Sequence, residues 1–349
     1  MSAKAKVFII YTGGTLGMMH RDANDSCSPL APARWERLKK FVSFLKRLPV
    51  ETVLYEMDPM DSSDINPDCW IDIARVIRDN YNDYSGFVVL HGTDTMAYGA
   101  AALSFLLENL GKPVIITGSQ IPISEVRNDA MQNLASAIMF AVPYTFGLPI
   151  IPEVSIFFNN KLLRGNRAKK IDSCGYAGFV SCNYPVLADT AGNIFINERF
   201  VRKPAEKDFF ISEKLEKEVF LFDIFPGITP EVIRYIFNIP NLKGAVLKTY
   251  GAGNAPTNES FLKEIEFAVN KKNLVIVNVT QCIYGGIKPS RYNAGAKLLS
   301  RGVISGADMT SEAALIKLMF LLGKGYEVET TKRLMQKNLR GEISAGDYP

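Results

Sequence analysis

Val7-Phe8-Ile9-Ile10-Tyr11-Thr12-Gly13-Gly14-Thr15 carries an apolar strand pattern straight into two glycines flanked by hydroxyls. The same construction returns at Phe87-Val88-Val89-Leu90-His91-Gly92-Thr93-Asp94-Thr95. In both, glycine removes the Cβ that would keep backbone and substrate apart. Both also sit at the carboxyl end of a strand, where open α/β sheets bind their ligands. Two such turns can build one hydroxyl-based active site.

Working outward, further apolar runs lie near 52–57, 113–117 and 154–158, separated by segments with helical spacing. This alternation predicts an α/β fold with a larger N-terminal domain on a mostly parallel sheet, because parallel strands need such crossovers. Asn66-Pro67 reads as an N-cap with a first-turn proline, and Gly111 is expected to stop the helix that begins near Thr95. The segment near 34–48 reads as one amphipathic helix, with Trp35, Leu38, Phe41, Val42, Leu45 and Leu48 toward the core and a solvated basic side. No charged residue occurs between Asp129 and Glu153, but Pro143, Gly147, Pro149 and Pro152 break that stretch. A buried helix to about Ala141, a loop and a strand Val154–Phe158 are expected there, not a membrane span. Thr190-Ala191-Gly192-Asn193 reads as a hairpin turn before a charge-rich linker. The expected division is 1–197, a linker over 198–217, and a smaller flavodoxin-like three-layer α/β domain over 218–349. In that last part, strands near 219–224, 244–250 and 274–279 alternate with helices near 230–238, 259–270, 294–301, 311–322 and 328–338.

Of 349 residues, 47% are hydrophobic and 22% charged, which describes a globular chain long enough for two cores. The net charge of +4 balances 40 basic against 36 acidic residues mixed along the chain, so no electrostatic case for nucleic acid arises. The five cysteines form an odd set without a Cys-x-x-Cys pair, which argues against a disulfide framework or zinc and for a reducing cytoplasm. The short polar start lacks the apolar core of a secretion signal. No His-x-x-x-His, no carboxylate cluster, no Gly-Lys-Ser/Thr and no helix-opening Gly-x-Gly-x-x-Gly is present, so no metal or other cofactor is expected.

The only histidines, His20 and His91, have no nucleophile partner in the local sequence that would signal a histidine relay. A threonine hydroxyl is a weak nucleophile that needs a proton acceptor, and lysine can serve where histidine is absent. Asp94 could anchor a substrate ammonium or hold that lysine's charge, while the turn amides could stabilise an oxyanion. Taken singly, each threonine reads as well as a turn hydroxyl bonded to backbone; the pair together favours a site.

Across nearly the whole chain these residues resemble the L-asparaginases, specifically the cytoplasmic type I amidohydrolases. Tyr11-Thr12-Gly13-Gly14-Thr15-Leu16-Gly17-Met18 is similar to the family's first signature and His91-Gly92-Thr93-Asp94-Thr95-Met96-Ala97 to its second. Similar blocks are Met60-Asp61-Ser62-Ser63-Asp64, Thr117-Gly118-Ser119-Gln120, Phe157-Phe158-Asn159-Asn160, Arg164-Gly165-Asn166-Arg167, Tyr250-Gly251-Ala252-Gly253-Asn254-Ala255-Pro256 and Thr280-Gln281-Cys282. The resemblance implies hydrolysis of the L-asparagine side-chain amide, with Thr15 as nucleophile and Thr93 assisting the water. It implies Lys170 as the catalytic lysine, with Lys169 as the alternative. Asp94 would grip the substrate α-ammonium, and Ser62 with Asp61 and Ser63 its α-carboxylate end.

The segment Met18–Pro29 departs from the family pattern by lacking a tyrosine, and Tyr292 matches the position from which a subset of relatives supplies one to polarise Thr15. Thr280 and Cys282 match a second, regulatory asparagine site, where Lys248 replaces an arginine and lacks its bidentate fork. A homodimer or homotetramer is implied, without nucleic acid or membrane. Competing readings are a glutaminase-asparaginase, an amidase acting on tRNA-linked substrate, and, from another class, a non-catalytic amino-acid sensor. A nucleotide-binding protein would need a phosphate loop, which the chain does not show.

Overall fold

The computed structural model describes residues 4–22, 25, 27–288 and 293–344, which divide into two compact units. One holds the chain up to Ser181 with Pro185–Glu213; the other holds Cys182–Tyr184 and the chain from Lys214.

Among the described residues the first unit is built on an eight-stranded sheet. Its order is Phe195–Ile196, Ala188–Asp189, Lys161–Arg164, Val154–Phe158, Val114–Thr117, Gly86–Leu90, Lys6–Gly13 and Glu51–Met60. The five strands from Glu51–Met60 to Val154–Phe158 run parallel, and the rest are antiparallel hairpin additions. The central strands are apolar on both faces because both are covered: Val7 and Ile10, like all of Phe87–Leu90, are fully buried. Helices Pro67–Asp79, Met96–Leu106 and Ala130–Ala141 make the crossovers. Asn66 Oδ1 accepts from the Asp68 amide at 2.9 Å, the N-cap expected of Asn-Pro.

Two helix expectations are corrected. The 34–48 segment is a four-residue helix Trp35–Leu38 and a separate 3-10 turn Ser43–Arg47. Neither N-cap residue supplies a side-chain cap, and the Trp35 amide is held instead by Glu56 Oε1 at 3.0 Å, so packing of Trp35, Leu38 and Val42 decides the path. The helix after Thr95 ends at Leu106, not at Gly111, because Leu107–Glu108 leaves it to pair antiparallel with Phe210–Ile211. The proline-broken stretch behaves as expected, with helix Ala130–Ala141, a turn Pro143–Phe146 and strand Val154–Phe158. Among the described residues no helix is long and apolar enough to cross a membrane.

The second unit carries four parallel strands in sequential order, Val219–Asp223, Gly244–Thr249, Val275–Thr280 and Ile304–Ser305. Alternation along the strands splits its core. Ala245, Leu247 and Ile276 pack with helices Pro230–Phe237 and Glu259–Lys272. Gly244, one residue out of phase, lies against Leu318 and Leu322 of helix Ser311–Gly323. Three layers result.

Candidate active site

The strands Glu51–Met60, Lys6–Gly13, Gly86–Leu90 and Val114–Thr117 are neighbours in the sheet, so the turns at their carboxyl ends must meet. The parallel register of the first two shifts between Tyr11 and Gly13, which carries the chain out of the sheet. Gly14 adopts φ 77°, and its amide donates to Met60 O at 3.1 Å. A Cβ on Gly14 would lie 2.3 Å from Gly92 Cα, and one on Gly92 would lie 2.5 Å from both Cβ and Oγ of Ser62. Only glycine lets the three turns touch. Thr12 Oγ1 donates to Leu90 O at 2.9 Å and Thr95 Oγ1 to Ser62 O at 2.8 Å, so the flanking hydroxyls tie the turns together. Thr15, half-buried at the start of a 3-10 turn, has no side-chain hydrogen bond among the described residues.

Lys170 arrives from another direction. Arg164-Gly165-Asn166-Arg167 packs on the small-residue face of helix Met96–Leu106, where a Cβ on Gly165 would meet the Ala100 Cβ at 3.1 Å. Behind it, the buried Arg164 Nε donates to Glu153 Oε2 at 2.5 Å. The chain then forms the hairpin Ala168–Lys170 with Phe179–Ser181. Lys170, at the hairpin's end, places Nζ 2.8 Å from Thr93 Oγ1 and 2.6 Å from Asp94 Oδ1.

Asp61 organises the remaining turn, its Oδ1 accepting from the amide and the hydroxyl of Ser63 at 2.9 Å each, while Ser62 is buried beneath Gly92. The structure thus brings Ser62 against Gly92, ties Thr95 to Ser62 and joins Thr93, Asp94 and Lys170 by hydrogen bonds. Lys248 instead pairs with Asp223 at 2.8 Å, and Thr280 Oγ1 accepts from the Cys282 amide at 3.0 Å. Register sets Lys248 opposite Val279 and Thr249 opposite Thr280. Tyr292 lies outside the described residues. Among those described, no three His, Cys, Asp or Glu side chains cluster as a metal site would.

His91 supports its own turn. Its buried Nδ1 donates to Gly92 O at 2.7 Å, and burial pushes its pKa down to about 4. An unfolded chain binds a proton below about pH 6.5 that the fold refuses until about pH 4. Native stability should therefore fall by about 3 kcal/mol across that window. Urea midpoints of the protein and of His91→Gln test this: their separation should narrow from pH 7 to pH 4, and a constant separation would contradict it.

Residues 6–202 match the family model described as "Asparaginase, N-terminal", and residues 218–335 match "Glutaminase/Asparaginase C-terminal domain". The chain belongs to the asparaginase family. It is 41% identical to L-asparaginase 1 of Escherichia coli (strain K12) over 348 residues, covering 99% of each chain. L-asparaginase I from Vibrio cholerae O1 biovar eltor str. N16961 shares its fold with a TM-score of 0.87 at 40% identity, over 98% of this chain and 100% of that one. The thermostable L-asparaginase from Thermococcus kodakarensis gives 0.87 at 31% identity over the same shares. The asparaginase resemblance and the α/β architecture read from sequence are thereby borne out. Sequence reasoning missed the loop before helix Ala130–Ala141, where Ile123 N–H donates to Leu16 O at 3.0 Å, beside Thr15. Only the similar block Thr117–Gln120 pointed toward it.

Proposed function

We propose that this chain hydrolyses the side-chain amide of L-asparagine to L-aspartate and ammonia through an acyl-enzyme on Thr15. Asparagine hydrolysis is the activity of its family, and the threonine mechanism rests on the site's geometry. The observation that carries it is Lys170 Nζ bridging Thr93 Oγ1 at 2.8 Å and Asp94 Oδ1 at 2.6 Å, on a turn in contact with the one bearing Thr15.

Thr15 Oγ1 attacks the amide carbon and gives up its proton, the C–N bond breaks, and the departing nitrogen takes up that proton to leave as ammonia. Water then opens the ester. Thr93 and Lys170, joined by a hydrogen bond, relay that water's proton to Thr15 Oγ1 as the ester C–O bond breaks, while Asp94 holds the Lys170 side chain in place. The exposed face of Asp94 meets the substrate α-ammonium. Ser62, on the turn that Asp61 preorganises through Ser63, meets the α-carboxylate. Support for the assembly, a homodimer or homotetramer in a reducing cytoplasm, is the sequence resemblance and the cysteine pattern. A regulatory asparagine at Lys248, Thr280 and Cys282 rests on the resemblance alone.

Ammonia release from L-asparagine tests the reading. Sustained release, greater than from L-glutamine, is the expected result. Binding of L-aspartate without release from either amide would make the protein a sensor and overturn the proposal.

A further inference from the structure

Residues 118–129 reach the Thr93 turn, the Thr15 turn and the loop after Lys170. Gly118 lies so close under the Thr93 turn that a Cβ would sit 2.4 Å from His91 O. Ile123 N–H bonds Leu16 O at 3.0 Å, next to Thr15. Gln120 Nε2 donates to Gly175 O at 2.9 Å and to Asp172 O at 3.3 Å, two carbonyls of the loop that follows Lys170.

That loop has little packing of its own, since Ile171 through Cys174 are exposed. It is closed by Ile171 N–H on Gly178 O at 2.8 Å and by Asp172 Oδ1, which accepts from the Cys174 and Gly175 amides at 2.8 Å each. Tyr176 Oη adds a second tie to the same segment, donating to Arg127 O at 3.1 Å. Asp129 in turn fixes the segment: its carboxylate accepts from the Gln120 and Ile121 amides at 3.1 Å and from Asn133 Nδ2 at 3.2 Å.

We propose that Gln120 is a positioning residue that holds the Lys170 loop at a fixed distance from the Thr15 turn, with Asp129 as its anchor. The inference rests on the reading of Lys170 as part of the catalytic machinery. A lysine has a long flexible stem, so the placement of Nζ depends on where its backbone is held. Displacing a reacting group by about 1 Å can cost about a hundredfold in rate. Gln120 acts through Lys170 and not through substrate, so its loss should appear in kcat and spare KM.

The test uses the full chain with Gln120→Met, which keeps length and volume but removes both N–H donors, and reads kcat, KM and hydrogen exchange over 171–178. The expected result is a kcat lowered at least about tenfold, a KM within about threefold of the parent and faster exchange confined to that loop. Gln120→Glu, which also lacks the donor, should reproduce it. An unchanged kcat, or a lowered kcat with unchanged exchange, overturns the proposal. Should Gln120→Met melt early, Tyr176→Phe is measured in the same way, having lost a single hydroxyl. Faster loop exchange with a smaller fall in kcat supports the tie, and no change in either overturns it. If the parent releases no ammonia, the functional reading fails separately. Exchange then decides the clamp alone: faster exchange over 171–178 in Gln120→Met supports it, and unchanged exchange overturns it.

Discussion

Lys170→Met is expected to lower asparagine turnover by about 10²–10⁴-fold with the fold intact, the range for loss of a positioned acid–base group. Methionine follows the unbranched lysine stem, so the space between the hairpin Ala168–Lys170 with Phe179–Ser181 and the Thr93 turn stays filled. What is lost is, among the described residues, the group bonded to both Thr93 Oγ1 and Asp94 Oδ1. The fold tolerates this because Asp94 is 66% exposed, and water solvates its carboxylate once the ammonium is gone. The stability change should stay within about 1 kcal/mol, as for ion pairs open to solvent. Ammonia release and thermal melting, run on the same preparation, check both halves. A variant that keeps a tenth or more of parental kcat would remove Lys170 from the mechanism.

Thr15→Val should be more severe, lowering turnover at least about a thousandfold, because a nucleophile has no substitute in the step it performs. Valine is β-branched like threonine and fits the same half-buried position at the start of the 3-10 turn. The hydroxyl makes no bond to the described residues that the fold would miss. L-Aspartate binding should persist, since Ser62, Thr93 and Asp94 remain. Measured by ammonia release and by aspartate titration, loss of rate with retained binding is the expected pair. Parental activity in Thr15→Val would contradict the nucleophile assignment.

Much of this site was legible because the sequence puts chemistry at the ends of apolar strands. Val7–Ile10 and Phe87–Leu90 announce buried strands, and glycines at 13, 14 and 92 announce close approach. Adjacency was not legible: that the strand after Ser85 lies beside Lys6–Gly13 is a property of sheet order, set by long-range packing. Lys170 could be numbered only by resemblance, since nothing local distinguishes it from Lys169; the hairpin turns Lys170 toward Thr93, which the sequence does not reveal. The 34–48 segment shows the opposite failure. Its helical periodicity is real, but Tyr11, Trp35 and Leu38 fix only one turn of it, with the Tyr11 hydroxyl bonded to Ala33 O at 2.7 Å. Lys317 is a further case. A fully buried lysine on an apolar helix is unreadable until Glu342 is seen 2.6 Å away, equally buried.

The central claim, that the Thr15 oxygen itself carries the substrate's acyl group, is tested most directly by acid-quenching the protein during turnover of L-asparagine and weighing its peptides. The account predicts an aspartyl ester on the peptide containing Thr15, absent from Thr15→Val. An adduct on Thr93, or steady turnover with no ester accumulating on Thr15 even when Lys170→Met slows its hydrolysis, would contradict it.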